Sequence, residues 1–230
     1  MSMIQKSLAR TILIMDGPMG TMVQAANLVE QDFRGSRFES HSIPLQGNND
    51  VLSLTKPNLI KRIHMDFLEA GANIICTNTF NATSIAQSDY CLEEFVYELN
   101  KRSAEIAKTA VREYCASQGE NLDHYVAGVI GPTNKTASIS PNVEDPAARG
   151  ISFEELVASY KEACQGLLDG GVDLLMIETV FDTLNAKAAI FAIEASLSER
   201  EIKLPLIISG TITEKSGRTL TGQTVEGFWN

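Results

Sequence analysis

Gly171-Val172-Asp173-Leu174-Leu175-Met176-Ile177-Glu178-Thr179-Val180-Phe181 decides how this chain is read. The spacing predicts one buried strand, Asp173 to Ile177, that delivers a carboxylate, Glu178, at its C-terminal end. A near-copy lies about one hundred residues earlier. Gly71-Ala72-Asn73-Ile74-Ile75-Cys76-Thr77-Asn78-Thr79 aligns with it when Gly71 is laid on Gly171, which sets Asn78 on Glu178 and Thr79 on Thr179. Each copy follows a helix-ending signal, Glu69-Ala70-Gly71 or Asp169-Gly170-Gly171. Helix, glycine, continuous apolar strand and then a polar residue is the pattern of a parallel α/β sheet, whose strands are buried on both faces. In such folds the polar residues at strand C-termini build the site.

Working outward, further units follow the same pattern. Thr11–Met15 reads as a first strand ending in Asp16-Gly17-Pro18-Met19-Gly20-Thr21. Gly17 and Gly20 suit a tight turn that allows positive φ and close ligand approach, and exposed N–H groups there suit an anion. A carboxylate at Asp16 has no packing role that an uncharged residue would not fill at lower desolvation cost. Residues 24–50 have little periodicity and read as a long functional loop, with Phe33, Arg34, Arg37 and Phe38 to order it in part. Pro57 opens a helix with Leu59, Ile60, Ile63, Phe67 and Leu68 on one face; His64 within it reads as a packing residue with its polar atoms satisfied. Strands are expected at Asn73–Thr77, Tyr125–Ile130 and Leu204–Ser209, the last running into Gly210-Thr211-Ile212-Thr213. Helices are expected at Leu92–Ser117, after the Ser152–Glu155 capping box, at Thr183–Ser198, and beyond a Thr224 N-cap.

Composition narrows the function. The 230 residues carry a formal net charge of -10 with no basic stripe, which argues against nucleic acid and anionic membranes as partners. Hydrophobic residues make up 44% and charged residues 21%, enough to form a core. No apolar run reaches the roughly 18 residues needed to span a bilayer, and Met1–Arg10 lacks a signal-peptide core, so cytoplasm is the expected compartment. Cys76, Cys91, Cys115 and Cys164 form no Cys-x-x-Cys pair and have no histidine at ligand spacing, so each reads as structural. Five strand units suit either an open doubly wound sheet or part of a (β/α)8 TIM barrel. No glycine-rich dinucleotide fingerprint supports the first. The barrel needs three more units, so the chain is expected to be the N-terminal part of one, incomplete at its C-terminus.

The motifs Met15–Thr21, Arg34-Gly35, Gly47-Asn48-Asn49-Asp50, Thr77–Phe80, Gly131–Thr136, Ile177–Thr179, Phe181–Thr183 and Ser209–Ile212 occur in this order. In this the chain, from Ile12 to its end, resembles the N-terminal homocysteine-binding module of the cobalamin-dependent methionine synthase family. That resemblance implies a (β/α)8 barrel and a methyltransferase of methionine, hence amino-acid, biosynthesis. Homocysteine, held as a zinc-bound thiolate, takes a methyl group from methylcobalamin, which is recharged from 5-methyltetrahydrofolate. Folate, cobalamin and activation modules of the same long enzyme are the implied partners.

Under that reading Asp16 and Glu178 meet the substrate ammonium, and the turn from Gly17 through Met19 to Gly20 holds its carboxylate. Asn78, Thr79 and Asn134 are weaker wall positions. The family's zinc cysteines lie on later strands, so this chain is expected to hold no metal ligand and no catalytic residue of its own, and to be inactive alone. Cys76 stands where close relatives usually carry Glu. Two further readings stay open at this stage. One is another barrel enzyme, either a cobalamin-independent homocysteine or thiol S-methyltransferase or a phosphate binder. The other is a non-catalytic amino-acid-binding fragment.

Overall fold

A computed structural model describes residues 2–118, 123–212 and 216–230. Four parallel strands, β1 (Ile74–Cys76), β2 (Tyr125–Ile130), β3 (Leu174–Val180) and β4 (Leu206–Gly210), lie side by side in sequence order. Ile74 is level with Tyr125, Ala127 with Leu174, and Leu175 with Leu206. Each connection returns through a helix, which is how parallel neighbours must be joined. Those helices are Val96–Gln118, Phe153–Asp169 and Thr183–Glu199, with Pro57–Glu69 leading into β1.

The two faces of the sheet carry two cores. Ile75, Val126, Leu175 and Ile177 point toward the helices and join Leu68, Ala107, Leu156, Leu167, Ala189 and Ile193. The alternate residues Ile74, Tyr125, Ala127, Leu174 and Met176 form a smaller inner cluster. A short helix, Met3–Leu8, closes that cluster from the N-terminal ends of the strands: Ile4 packs into it, and Ser7 Oγ bonds Tyr125 at 2.8 Å and Asp123 at 2.6 Å. The short length of this segment and its scattered apolar residues hide this plug.

Thr11–Met15 is not a strand. Only Met15 makes a β-bridge, to Ile74. Ile12 and Ile14 are 88% and 58% exposed, so one face of this segment has nothing to pack against. At the other edge, no strand among the described residues pairs the outer side of β4; Phe228, on the helix Val225–Trp229, packs over Gly210 and joins the helix-side core. Thr213 lies outside the described residues.

The strand carrying Glu178 also runs three residues beyond the expected Ile177. Between Ile177 and Val180 the register with β4 shifts, and Thr179 takes φ +57°. This bulge returns Val180 to the helix side, the face Ile177 already occupies, and so leaves Glu178 on the inner face with Met176.

The segment 24–50 is more ordered than its sequence suggests. Met19–Ala25 and Glu30–Arg34 are helical and Asn49–Val51 is a 3-10 turn. Phe33, Phe38, Leu45, Val51 and Leu52 build a third core with Ile60, Ile63 and Leu92. The Arg34 guanidinium ties the loop by donating to the carbonyls of His41 at 2.6 Å and Ile43 at 3.0 Å and to Glu30 at 2.6 Å. Glu30 in turn accepts the N–H groups of Leu45 and Gln46. His64 is buried as expected, but neither ring nitrogen has a partner, and burial pushes its pKa down to about 4, which keeps it neutral.

The helices Val96–Gln118 and Phe153–Asp169 touch through Gly166. A Cβ there would stand 2.5 Å from the Tyr97 carbonyl oxygen and 2.8 Å from Asn100 Cβ. Gly→Ala inside an open helix stabilises by roughly 1 kcal/mol. Here backbone blocks the added methyl, so we expect Gly166→Ala to lower the melting temperature in a thermal scan by several degrees.

Candidate functional site

The C-terminal ends of β1 and β3, the Met15–Gly20 turn and the 3-10 turn enclose a cavity of about 510 Å³. It is lined by Asp16, Gly17, Met19, Gly20, Asn78, Thr79 and Glu178, together with Asn49, Asp50 and Cys76. Seven of the eight residues singled out in the sequence thus meet at one place. Asn134 does not: the loop after β2 turns outward, and its amide donates to Asp89 at 2.8 Å on the exposed side.

Asp16 is held by β1. Its N–H donates to the Ile74 carbonyl at 2.8 Å, and its Oδ2 accepts the Cys76 N–H at 2.8 Å. Burial pushes its pKa up to about 6, although the Cys76 N–H and thiol pull the other way. Glu178 is raised too, first by burial and then by the Asp16 charge. The Cys76 thiol lies beside this pair. Burial, then Asp16, then Glu178 drive it far above the usual thiol range, so it stays protonated and non-nucleophilic. Sequence reasoning treated Cys76 as structural. The available signal was its strand phase, since Cys76 shares the inner face with Ile74.

The glycines act differently from the expectation. Neither Gly17 nor Gly20 has positive φ. At Gly17 a Cβ would meet the Phe67 ring at 2.9 Å, so the ring would have to shift to admit a side chain.

Asn78 and Thr79 line the wall with their donors already engaged. Asn78 Nδ2 donates to the Asn49 carbonyl at 2.8 Å and to Ser53 Oγ at 3.2 Å, while Ser103 holds the Asn78 carbonyl. Thr79 donates to the Val129 carbonyl at 2.7 Å. Behind them Asn48 and Gln87 exchange amide hydrogen bonds of 2.7 and 3.3 Å, and Gln87 also donates to the Asn81 carbonyl at 3.1 Å. This buried network, satisfied at these contacts, fixes the wall.

Asp50 was read only as part of the Gly47–Asp50 motif. It is buried and lines the cavity, with Oδ1 accepting the Asn81 N–H at 3.0 Å. Its burial arises from tertiary contacts that a loop sequence does not display.

Among the described residues no lysine, arginine or histidine lines the cavity. A net anionic ligand such as a phosphate therefore lacks a counter-charge, whereas a group carrying an ammonium finds two carboxylates. For a metal, Cys76 is the one thiol on the cavity wall, and it is held neutral. Among the described residues no three His, Cys, Asp or Glu side chains converge to hold an ion. The residues in hand do not fit a zinc site. Nor is any helix among them long and apolar enough to cross a membrane.

Parallel strands with returning helices and acidic side chains at the C-terminal rim define a TIM-barrel-like α/β architecture. The sequence model for Homocysteine S-methyltransferase matches residues 13–230, and the chain belongs to that family. Among solved structures it is similar in fold to the homocysteine methyltransferase MmuM from Escherichia coli. The metallated form is matched at 23% identity with a TM-score of 0.73, over 98% of this chain and 72% of that one. The oxidized form is matched at 23% identity and 0.70, over 95% and 68%.

Asp16 binds its proton more tightly in the folded chain than at the ordinary 3.8. Below that value both states are protonated and nothing is lost. Above about 6 both are ionised, and folding bears the full cost of the buried charge. Asp16→Asn should therefore raise the melting temperature at pH 8, and the gain should shrink as pH falls through 6 and vanish below the ordinary value. Thermal scans across that range check it.

Proposed function

We propose that this chain is the homocysteine-binding part of a cobalamin-dependent methionine synthase. The eight motifs in register from Met15 to Ile212 support this finer reading within the methyltransferase family. In it, Asp16 and Glu178 grip the homocysteine ammonium, and the Gly17–Gly20 turn with Met19 borders the carboxylate. Asn78 and Thr79 shape the wall. The observation that carries the reading is that the two raised carboxylates face one cavity with no basic side chain on its wall among the described residues.

Substrate capture needs Asp16 and Glu178 ionised. Burial moves the loss of Asp16's charge up to about 6 and moves that of Glu178 upward as well. An arriving ammonium stabilises both ionised forms and pulls their protons off. Zinc and methylcobalamin are cofactors of the whole enzyme in this proposal, with folate, cobalamin and activation modules as partners. The residues described here supply substrate binding, and no step through the metal is assigned to them. The chain alone is therefore proposed to be inactive.

Two measurements test the proposal. Glu178→Gln should weaken homocysteine binding roughly ten- to a hundred-fold in calorimetry, the worth of a charge-assisted hydrogen bond. An unchanged dissociation constant removes Glu178 from this role. Metal analysis of the purified 230-residue chain by mass spectrometry should find no stoichiometric zinc. One tightly held zinc per chain would contradict the assignment of the metal to other residues.

A further inference from the structure

The Asp16–Glu178 pair accounts for the acceptors that an amino acid needs. For the ligand's carboxylate the proposed partners so far are the backbone N–H groups of the Gly17–Gly20 turn, with no side-chain donor beside them. Among the described residues the cavity wall has no basic side chain, and the polar hydrogens of Asn78 and Thr79 are spent on the Asn49 and Val129 carbonyls. Asp50 stands on a different wall, in the 3-10 turn rather than at a strand end. It is only 3% exposed. Its Oδ1 accepts the Asn81 N–H, and apart from its own backbone N–H no other donor among the described residues reaches the carboxyl. The carboxyl thus makes few bonds within the chain and stands on a wall of the cavity.

We propose that Asp50 is a further binding residue of this cavity, which donates its carboxyl O–H to the carboxylate of the bound amino acid. The inference rests on the homocysteine reading above. The cavity then has two poles: ionised Asp16 and Glu178 for the ammonium, and neutral Asp50 together with the Gly17–Gly20 turn for the carboxylate.

The electrostatics agree with this division. Asp50 is pushed up to about 7 by burial, against the pull of the Asn81 N–H, with no contribution from Asp16 or Glu178. Those two act on each other and on Cys76 instead. The titratable neighbour that feels Asp50 is Tyr90, itself raised first by burial and then by Asp50 and Asp89. A neutral carboxyl next to a carboxylate is a strong donor, whereas an ionised one repels it.

Calorimetric binding of homocysteine between pH 5 and 8.5 tests the assignment, with folding of each variant checked by its thermal transition. Wild-type affinity should rise as Asp16 and Glu178 ionise and then fall through neutrality as Asp50 loses its proton. Asp50→Asn keeps a donor and an acceptor in the same shape, so it should bind near the wild-type maximum, keep the rise and lose the fall. Asp50→Ala should bind roughly tenfold or more weakly at pH 6. Titrations of the ligand itself are common to all variants and cancel in their ratios. A fall through neutrality that persists in Asp50→Asn overturns the inference and leaves the homocysteine reading standing. So does an Asp50→Asn loss as large as that of Asp50→Ala. A wild-type chain that binds no homocysteine at any pH overturns both.

Discussion

The site depends on how the backbone of Asp16 is stitched to β1. The Ile14 carbonyl accepts the N–H groups of Asn73 and Ile74, the Ile74 carbonyl accepts the Asp16 N–H, and Asn73 Oδ1 accepts the Ile14 N–H. These four bonds set the first segment in parallel register even though most of it is too exposed to be a strand. They stop at the residue whose carboxylate turns over the end of β1 to meet the Cys76 N–H. From there the rest follows by geometry. Parallel strands end at one rim, so a carboxylate on β3 arrives near one held by β1. Neither has a basic partner on the cavity wall among the described residues, and burial raises both.

The walls turn that proximity into a shaped cavity. The third core under Phe33, Phe38 and Leu45 anchors the loop that supplies Asn49 and Asp50. The Asn48–Gln87 pair locks that loop to the segment after β1. The bulge at Thr179 does similar work on the other side, since it keeps Glu178 inward while Val180 returns to the helix core. A β-branched residue at positive φ is strained, and such strain is retained where the surroundings over-determine it, commonly at functional sites. The cavity is thus built from rigid parts, as the proposed capture of one small zwitterion requires.

The sequence made the sheet legible because parallel strands are buried on both faces and read as unbroken apolar runs; Tyr125–Ile130 is found at the expected bounds. The capping box at Ser152 and the N-cap at Thr224 were legible because their chemistry is local. Thr11–Met15 misled because an apolar run does not say whether a neighbour covers it. Asp16 and Glu178 could be singled out by position at strand ends. Asp50 could not, because its burial comes from Asn81 and a loop core distant in sequence. Cys76 was hidden by its residue type: a small apolar side chain in a strand looks structural until its facing is known. Asn134 was placed by motif order alone, and a turn of the loop toward Asp89 carried it away.

The account turns on Asp16 and Glu178 sensing each other across one cavity. The direct measurement is the pH titration of the Glu178 carboxyl, followed by carbon-13 NMR in the wild-type chain and in Asp16→Asn. The account predicts a midpoint above the ordinary glutamate value in the wild type, which moves down when the Asp16 charge is removed. A Glu178 that titrates at its ordinary value and ignores the substitution would contradict it.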